Sequence, residues 1–356
     1  MFYAINKLGE IITPTGYDFI MDFREGYAAV QQKEKTGFLN QQGEIAIPIK
    51  YKFASSFSEG LACVRIKNKT GYITKTDELA IAPIYEFGDA FTCGFARVLK
   101  DDFWGCINLK GEEITPFRFD GMVHFNEGMA GVVKDQKWGY IDSSGNQPIN
   151  FCYDAADDFM EGLARVKLNG QFGFINPENE VIVDFKYEFV ESFQEGLAAV
   201  KQNGKWGFID QQGILIIDYQ FEAVSSGFKD GLCAVVKDKA MGFIDKSGNM
   251  QIAALYEPSS EYGYCWSHFN EGHVALAQKV ELNQAAKRHF GIIDQKGNTI
   301  LPFEYDEIKN VKEGFAIICK NNKSGYFKPQ NHELAIPLMY DDASSFNEGM
   351  AIVAKI

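Results

Sequence analysis

The sequence predicts an all-β fold made of ten tandem antiparallel β-meander repeats of about 34 residues each. Three observations carry this prediction. A Glu-Gly-Leu-Ala-like tetrad recurs along the whole chain, and a Trp-Gly-Phe-Ile-Asp-like segment follows it at a nearly constant distance. The apolar runs between these markers are short and bounded by glycine-containing turns, and no window has a sustained helical period.

The tetrad sets the period of the repeat. Successive tetrad glycines are 34 residues apart over the first five intervals, and the later intervals are 35, 41, 42 and 35 residues. The chain therefore holds ten copies, two of which are clearly lengthened. The ten glycines are Gly26, Gly60, Gly94, Gly128, Gly162, Gly196, Gly231, Gly272, Gly314 and Gly349.

Each copy reads as a small meander of three or four short strands. Between Tyr187 and Asp218, apolar runs are separated by Glu-Gly, Asn-Gly and Gln-Gly, and glycine supplies the positive φ that tight hairpin turns require. One such meander leaves a face and both edges exposed, so the copies must stack. We expect the recurring aromatic residues, such as Phe193 and Trp206, to form the core between copies rather than a ligand platform.

Two segments with the sequence Lys-Trp-Gly-aromatic-Ile-Asp, at 137–142 and 205–210, carry a family resemblance. Each follows a Phe-x-Glu-Gly-Leu/Met-Ala stretch, and together they resemble the WG repeat, also called the KWG repeat, of bacterial proteins. The resemblance covers essentially the entire chain, although only one further copy has the tryptophan, at Trp104. It implies a repeat architecture, and it brings neither common catalytic residues nor a general function.

The phase of the two chain ends favours a closed β-propeller-like ring. The chain starts inside a Trp-Gly-like strand at 2–6 and stops after a Glu-Gly-Met-Ala strand at 348–353. The two ends complete one repeat, so we predict a blade shared by residues near 1–20 and 337–356, which would remove the exposed edges of an open array. An open β-solenoid or superhelix is the alternative, because common propeller blades are longer, about 40–45 residues.

Composition limits the classes of partner. With 48 acidic against 35 basic residues the net charge is −13, which argues against binding to nucleic acid. No apolar run approaches the roughly 18 residues of a membrane-spanning helix. The seven cysteines include no Cys-x-x-Cys pair, and the first residues do not resemble a secretory signal. We therefore expect one domain, residues 1–356, in the cytoplasm, or outside it if a signal peptide has been removed.

Departures from the repeat mark the candidate binding patch. Insertions near 257–268 and 278–289 lengthen two neighbouring copies, and insertions in repeat proteins map to one face that is often used for binding. The first is rich in aromatic residues, and the second has a basic cluster. The candidate residues are Tyr262, Tyr264, Trp266 and His268 from the first insertion and Lys287, Arg288 and His289 from the second. The alternative is that both insertions are longer loops that pack on their own repeats.

The glutamates of the Glu-Gly turns have two interpretations. Stacked in a row, they could attract cations or basic peptides. We favour a structural role, in which each carboxylate accepts backbone N–H groups in its own turn. His268, Glu271 and His273 could surround a metal, but their spacing matches no common zinc pattern, and the sequence contains no phosphate-binding loop and no nucleophile elbow. We expect neither a metal nor a cofactor.

These observations favour a non-catalytic repeat scaffold that binds a protein or a peptide, with a glycan as another ligand class. The alternative is a propeller-type hydrolase or lyase with a site in the central channel. Such an enzyme would carry polar residues, particular to some copies, at one shared repeat position. None is evident in the regular copies.

Overall fold

The computed structural model describes residues 1–258, 267–282 and 285–355, and within 279–282 and 285–287 it describes the backbone alone. The described residues form ten antiparallel sheets, here called blades, from 36 strands and one 3-10 helix. They fall into two compact units of five blades each: residues 1–153 with 340–356, and residues 154–339. No helix of the described residues is long and apolar enough to cross a membrane.

The first unit holds blades 1 to 5, and the chain opens with β1 (Phe2–Asn6) of blade 1. Blade 2 contains β2 (Phe19–Ile20), β3 (Tyr27–Gln32), β4 (Lys35–Asn40) and β5 (Ile45–Tyr51). Blade 3 contains β6 (Leu61–Ile66), β7 (Lys69–Thr74) and β8 (Leu79–Tyr85). Blade 4 contains β9 (Phe87–Gly88), β10 (Phe95–Lys100) and β11 (Phe103–Asn108). Blade 5 contains β12 (Gly121–Met122), β13 (Met129–Lys134), β14 (Lys137–Asp142) and β15 (Ile149–Tyr153).

The second unit holds blades 6 to 10. Blade 6 contains β16 (Ala155–Met160), β17 (Leu163–Leu168), β18 (Gln171–Ile175) and β19 (Val181–Tyr187). Blade 7 contains β20 (Phe189–Val190), β21 (Leu197–Gln202), β22 (Lys205–Asp210) and β23 (Leu215–Phe221). Blade 8 contains β24 (Ala223–Val224), β25 (Cys233–Lys237), β26 (Ala240–Ile244) and β27 (Met250–Tyr256). Blade 9 contains β28 (His273–Leu282), β29 (Ala285–Asp294) and β30 (Thr299–Tyr305). Blade 10 contains β31 (Glu307–Ile308), β32 (Ala316–Lys320), β33 (Lys323–Lys328), the 3-10 helix (Pro329–Asn331) and β34 (Glu333–Tyr340).

The two chain ends share blade 1, as the sequence predicts. After β34 the chain forms β35 (Asp342–Ala343) and β36 (Met350–Ala354), and β36 lies between β35 and β1. β1 and β36 are antiparallel, with Phe2 opposite Ala354 and Asn6 opposite Met350. This pairing closes an edge that an open array would leave exposed, so it supports the propeller prediction over the open solenoid.

The glycine of the Trp-Gly segment is required by a bulge in the neighbouring strand. In blade 7, Trp206 pairs with Phe221 and Phe208 with Ile217, so a two-residue step on β22 faces a four-residue step on β23. The bulged backbone lies directly over Gly207, where an added Cβ would be 2.6 Å from the carbonyl oxygen of Ile217. The same close approach, 2.5–2.8 Å to a backbone carbonyl oxygen, recurs at Gly37, Gly71, Gly139, Gly173, Gly242, Gly291 and Gly325.

The core lies between consecutive blades. The cluster around Phe208 combines β22 and β23 of blade 7 with Phe228 and Val235 of blade 8, and all three residues are at most 1% exposed. The rings of Phe208 and Phe228 are 5.1 Å apart in an edge arrangement. Within each of the two units, a blade thus buries a face against the next one, which is the stacking that a marginal three- or four-strand meander requires.

Candidate binding surface

The Glu-Gly turns are two-residue hairpin turns with both central residues in the left-handed region. At Glu25–Gly26 the φ values are 53° and 85°, and the flanking residues Arg24 and Tyr27 exchange two backbone hydrogen bonds of 2.8 and 3.1 Å. Positive φ at both central positions defines the type I′ turn. The hydrogen bonds between Arg24 and Tyr27 close the hairpin without using the two central N–H groups, which need acceptors from outside the turn.

Those acceptors are carboxylates from the preceding blade. Glu348 accepts the N–H of Glu25 at 2.6 Å and that of Gly26 at 2.7 Å. We call this contact, from the glutamate of one turn to the N–H groups of the next, the clasp. The glycine amide of a turn is held in this way, at 2.8–3.1 Å, in the pairs Glu25–Gly60, Glu59–Gly94, Glu161–Gly196, Glu195–Gly231 and Glu271–Gly314. The structural role expected for these glutamates is therefore right, but the expected donors, the N–H groups of the glutamate's own turn, were wrong. The carboxylate serves the following turn and not its own.

The clasp changes the electrostatics of the glutamate. Burial alone would raise the pKa of Glu25, but hydrogen bonds from Lys75 and from the Gly60 amide outweigh it and lower the pKa below its usual value. Lys75 Nζ is 3.0 Å from a carboxylate oxygen of Glu25. The clasp thus stabilises the ionised carboxylate, which is the form that can accept both N–H groups.

Two positions interrupt the row of clasp glutamates. Blade 4 has Cys93 where the other turns have an acid, so that turn offers no carboxylate to Gly128 of the following turn. Blade 8 has Asp230, whose side chain is one methylene shorter than glutamate. Nearby, Lys229 Nζ donates a hydrogen bond of 2.5 Å to Asn270 Oδ1, which brings an ammonium group next to the following turn. These are the two turns whose sequence lacks the clasp glutamate.

The first insertion precedes blade 9. Of its candidate residues, Tyr262, Tyr264 and Trp266 lie outside the described residues. His268 is half-buried. The proposed use of these aromatic side chains in binding stays a prediction.

The second insertion forms an extended hairpin instead of the expected loop. β28 and β29 each have ten residues, against six in β21 and β22 of the regular blade 7. Their backbones pair without interruption up to Leu282 opposite Ala285, with Lys287 opposite Val280 and His289 opposite Gln278. The additional residues therefore continue the ladder as a two-stranded ribbon, where they satisfy their backbone groups in pairs.

Arg288 connects this ribbon with the start of the first insertion. Its Nη2 donates a hydrogen bond of 2.5 Å to the backbone carbonyl oxygen of Pro258. Arg288 and His289 are both half-buried. The structure thus brings Arg288 of the second insertion against the segment from which the first insertion departs.

A charged cluster in the first unit was not anticipated from the sequence. Arg97 on β10 donates from Nε to Asp89 Oδ2 at 2.7 Å and from Nη1 to the carbonyl oxygen of Met122 in the next blade. His124 Nε2 lies 3.4 Å from the same Asp89 oxygen. A carboxylate that touches two basic side chains is thereby held at the junction of blades 4 and 5.

The second unit carries a related cluster. Arg165 on β17 pairs through Nε with Asp157 and donates from Nη1 to the carbonyl oxygen of Val190 in the next blade at 2.6 Å. The same Nη1 is 3.4 Å from Glu191 Oε2. Burial raises the pKa of Glu191 and the nearby Asp157 adds to the rise, while Arg165 opposes it.

Both clusters use the same two positions of the repeat. Arg97 and Arg165 lie three residues after the tetrad glycine, where regular copies have small residues such as Ala29 and Ala199. Their acidic partners precede the glycine by five residues. Aligning the copies position by position would have revealed the two arginines. A buried strand position that holds a small side chain in other copies rarely holds an arginine without an acidic partner.

The tryptophans of the repeat are half-buried and do not lie in the centre of the core between blades. Trp104 lies under the Arg97 guanidinium at 5.5 Å, and Trp206 lies under Lys201 Nζ at 5.9 Å. Phe189 packs edge-on against Trp206, with ring centroids 5.9 Å apart. The expectation of a core role holds for the buried phenylalanines and tyrosines. The tryptophans lie at the border of the core, where Trp104 and Trp206 form cation–π contacts.

Reactive groups are scarce among the described residues. Burial raises the pKa of the Cys63, Cys106 and Cys233 thiols to about 12, so these thiols are protonated at neutral pH. Within the described ranges, no group of three or more His, Cys, Asp or Glu side chains is placed to hold a metal ion. Around the histidines considered for a metal, His273 Nδ1 donates to the backbone oxygen of Glu271 at 2.8 Å, and the Glu271 carboxylate is used in a clasp.

Comparison with known proteins agrees with the repeat seen in the structure. The family described as "WG containing repeat" matches nine segments of the chain, which together span most of residues 4–355. The matched segments are 4–35, 37–69, 71–102, 104–138, 138–171, 172–206, 206–239, 290–323 and 325–355. Residues 240–289, which include both insertions, are not matched. No curated protein sequence matches the chain significantly.

Solved structures are similar to the chain at low sequence identity. A structure described as a eukaryotic initiation factor aligns with a TM-score of 0.51 and 12% identity, over 85% of this chain and 92% of that chain. Hsv2p of Kluyveromyces lactis aligns with a TM-score of 0.36 and 12% identity, over 87% and 92%. The WD40 domain of Pan2 from Neurospora crassa gives 0.31 and 9%, over 66% and 88%. The likeness to the first structure, together with the ten blades, shows an all-β propeller arrangement.

Proposed function

The chain belongs to the WG repeat family, and from this premise we propose that it is a non-catalytic scaffold that binds a protein or peptide partner. Propeller folds serve many functions, so the proposal depends on the site and not on the fold. Most polar residues singled out in the sequence have structural partners within the repeat. The clasp glutamates bind backbone N–H groups of the next blade, and the buried thiols are protonated.

The extended hairpin of blade 9 is the observation that carries the proposal. It lengthens two strands by four residues each relative to β21 and β22, and none of the other described blades has strands of this length. Arg288 ties it to Pro258, so the hairpin and the origin of the first insertion form one surface. Departures of this kind from a repeat are where repeat proteins commonly bind partners.

The charge of the chain favours certain partners. A net charge of −13 disfavours nucleic acid, and the basic residues of the hairpin contrast with the acidic remainder. A protein or peptide is the proposed partner, and a glycan is the other ligand class consistent with the tyrosines and the tryptophan in the sequence of the first insertion. Cysteines 63, 93, 106, 152, 233 and 319 are free thiols, which fits a reducing cytoplasm as the proposed location.

The test is quantitative affinity capture with a variant in which residues 279–288 are replaced by Asn-Gly. This replacement restores a regular hairpin with a type I′ turn, so the fold should be retained. We expect the full chain to enrich a defined partner from a lysate of its native host and the shortened variant to lose that partner at an unchanged melting temperature. Equal capture by both proteins would contradict the proposal.

A matched control keeps the hairpin and changes the equivalent turn of a regular blade. Asn203→Asp with Gly204 retained alters the β21–β22 turn conservatively and should leave capture unchanged. Purified partner and a glycan array would then be tested for direct binding. Binding to glycans and to no protein would identify a glycan as the ligand.

The charged cluster of blade 6 favours a second candidate function, a hydrolase or lyase. Burial raises the pKa of Glu191, and a carboxyl group with a raised pKa beside an arginine is a candidate general acid. A panel of chromogenic ester, phosphate and glycoside substrates would test this function. Turnover that disappears in Glu191→Gln, with the fold retained, would support catalysis over the scaffold.

A further inference from the structure

We propose that the Glu271–Gly272 turn of blade 9 binds a carboxylate group of the partner, in the place where other turns bind a glutamate of the preceding blade. This inference rests on the proposed binding function and specifies the chemistry of the ligand. The site consists of the N–H groups of Glu271 and Gly272 with the ammonium group of Lys229 beside them.

The turn has the same geometry as the turns that hold a carboxylate. Glu271 and Gly272 have φ values of 49° and 76°, against 53° and 85° at Glu25 and Gly26. Asn270 and His273 exchange the two hairpin hydrogen bonds at 2.9 and 3.0 Å. The donor pair is therefore preorganised in the same way as the pair that binds Glu348.

The ligand chemistry follows from the other copies of the turn. Glu348 binds both N–H groups of the Glu25–Gly26 turn at 2.6–2.7 Å, and Glu271 binds both N–H groups of the Glu313–Gly314 turn at 2.8 Å. Two parallel N–H donors match the two oxygens of one carboxylate. The other copies of the turn thus indicate that the Glu271–Gly272 turn binds a carboxylate.

The blade 9 turn lacks such an internal carboxylate. The residue at the clasp position of blade 8 is Asp230, which is shorter than glutamate by one methylene, or about 1.5 Å. Among residues that the structure describes, none provides an acceptor to the Gly272 amide. An exposed Glu-Gly turn whose central amides have no internal acceptor is suited to an anion, since successive backbone N–H groups form a concave donor surface.

A cation adjoins the donor pair. Lys229 Nζ donates to Asn270 Oδ1 at 2.5 Å, and Asn270 immediately precedes the turn. The His273 ring donates to the carbonyl oxygen of Glu271 at 2.8 Å, which fixes the turn from its other side. An incoming carboxylate would meet two N–H donors and an ammonium group, and charge-assisted hydrogen bonds of this type are roughly twice as strong as neutral ones.

The carboxylate can come from an acidic side chain or from a C-terminus, and the two sources share this chemistry. One experiment uses the full chain labelled with 15N-glycine and titrated with sodium acetate at constant ionic strength. We expect a saturable shift of the Gly272 amide resonance and no saturable shift at Gly60 or Gly314, whose amides already hold carboxylates. A blocked peptide with one glutamate and a peptide with a free C-terminus then identify the source by their relative affinity.

Asp230→Glu provides the decisive variant, because it supplies the missing internal carboxylate. We expect it to weaken acetate binding at Gly272 by roughly tenfold or more, since the two donors become occupied. Asp230→Gln has the same length without the charge and should retain most of the binding. A shift that is equal at all turn glycines, or that is unchanged in Asp230→Glu, would overturn the inference. Because acetate replaces the partner, failure of partner capture alone would refute the scaffold function and leave this site intact.

Discussion

Replacing Gly207 by alanine tests the physical reason for the glycine in the Trp-Gly segment. The added Cβ would lie 2.6 Å from the carbonyl oxygen of Ile217 and 3.1 Å from Cδ1 of Tyr219. The first distance is below any ordinary contact, so β23 would have to move away by roughly 0.6–0.8 Å to relieve it. That movement disturbs the bulge and the core contact of Ile217, which is 3% exposed.

The expected magnitude combines two opposing effects. Overpacking of this kind costs about 1–3 kcal/mol. The lower conformational entropy of alanine in the unfolded chain offsets about 0.4–1 kcal/mol of that cost. A net loss of about 1–2 kcal/mol should lower the melting temperature by about 2–8 °C, given a sensitivity of about 2–4 °C per kcal/mol in a unit of this size. Thermal denaturation followed by circular dichroism would measure it.

Gly121→Ala is the matched control. Gly121 also lies in a strand, but an added Cβ would meet its nearest neighbour, Val133, at 3.7 Å, which is ordinary van der Waals contact. We therefore expect the control to change stability by no more than about 0.5 kcal/mol. If both variants melt at the same temperature, the close approach of the bulge does not explain the glycine.

Three further predictions follow from the clasp and the thiols. Cys93→Glu should supply the missing carboxylate to the Gly128 amide and stabilise the protein by about 0.5–1.5 kcal/mol in chemical denaturation; a loss of stability would contradict the clasp. Because the pKa of Glu25 is lowered in the folded state, its contribution is present above its unfolded pKa and is lost as the pH falls through the folded pKa. The stability difference between the wild type and Glu25→Gln should accordingly shrink in acid, whereas a constant difference would rule out this linkage. At pH 8 a maleimide should label the exposed Cys93 rapidly and spare Cys106 and Cys233, whose pKa values are about 12; equal labelling in the folded state would show that burial does not protect them.

The sequence predicts the fold well because each repeat marker has a local physical cause. The Glu-Gly pair specifies a type I′ turn through positive φ, and the Trp-Gly glycine marks a close backbone approach. The aromatic residue three positions before the tetrad glycine, for example Phe228, fills the interface between blades. Such signals lie within one or two repeats and can be counted directly.

The candidate site was less predictable because its contacts join residues in different blades. Nothing near Glu348 in the sequence indicates that its carboxylate binds the turn at Glu25–Gly26, 323 residues earlier. The pairing of Arg165 with Glu191 likewise depends on how two blades stack. The second insertion was expected to be a loop because its sequence contains no glycine-containing turn pair of the kind that marks the other hairpins. In the structure its residues continue the pairing of the two strands, as an extended hairpin.

Each clasp runs from the glutamate of one repeat to the turn of the next repeat, so a substitution and its structural effect lie in different repeats. Glu59 accepts the N–H of Gly94, so a substitution at Glu59 should loosen the hairpin of the next repeat. The hairpin of Glu59 itself keeps its acceptor, the carboxylate of Glu25. The substituted residue and the loosened hairpin are thus one full repeat apart, and hydrogen exchange should become faster at the amides of the following repeat and not at those of the substituted one.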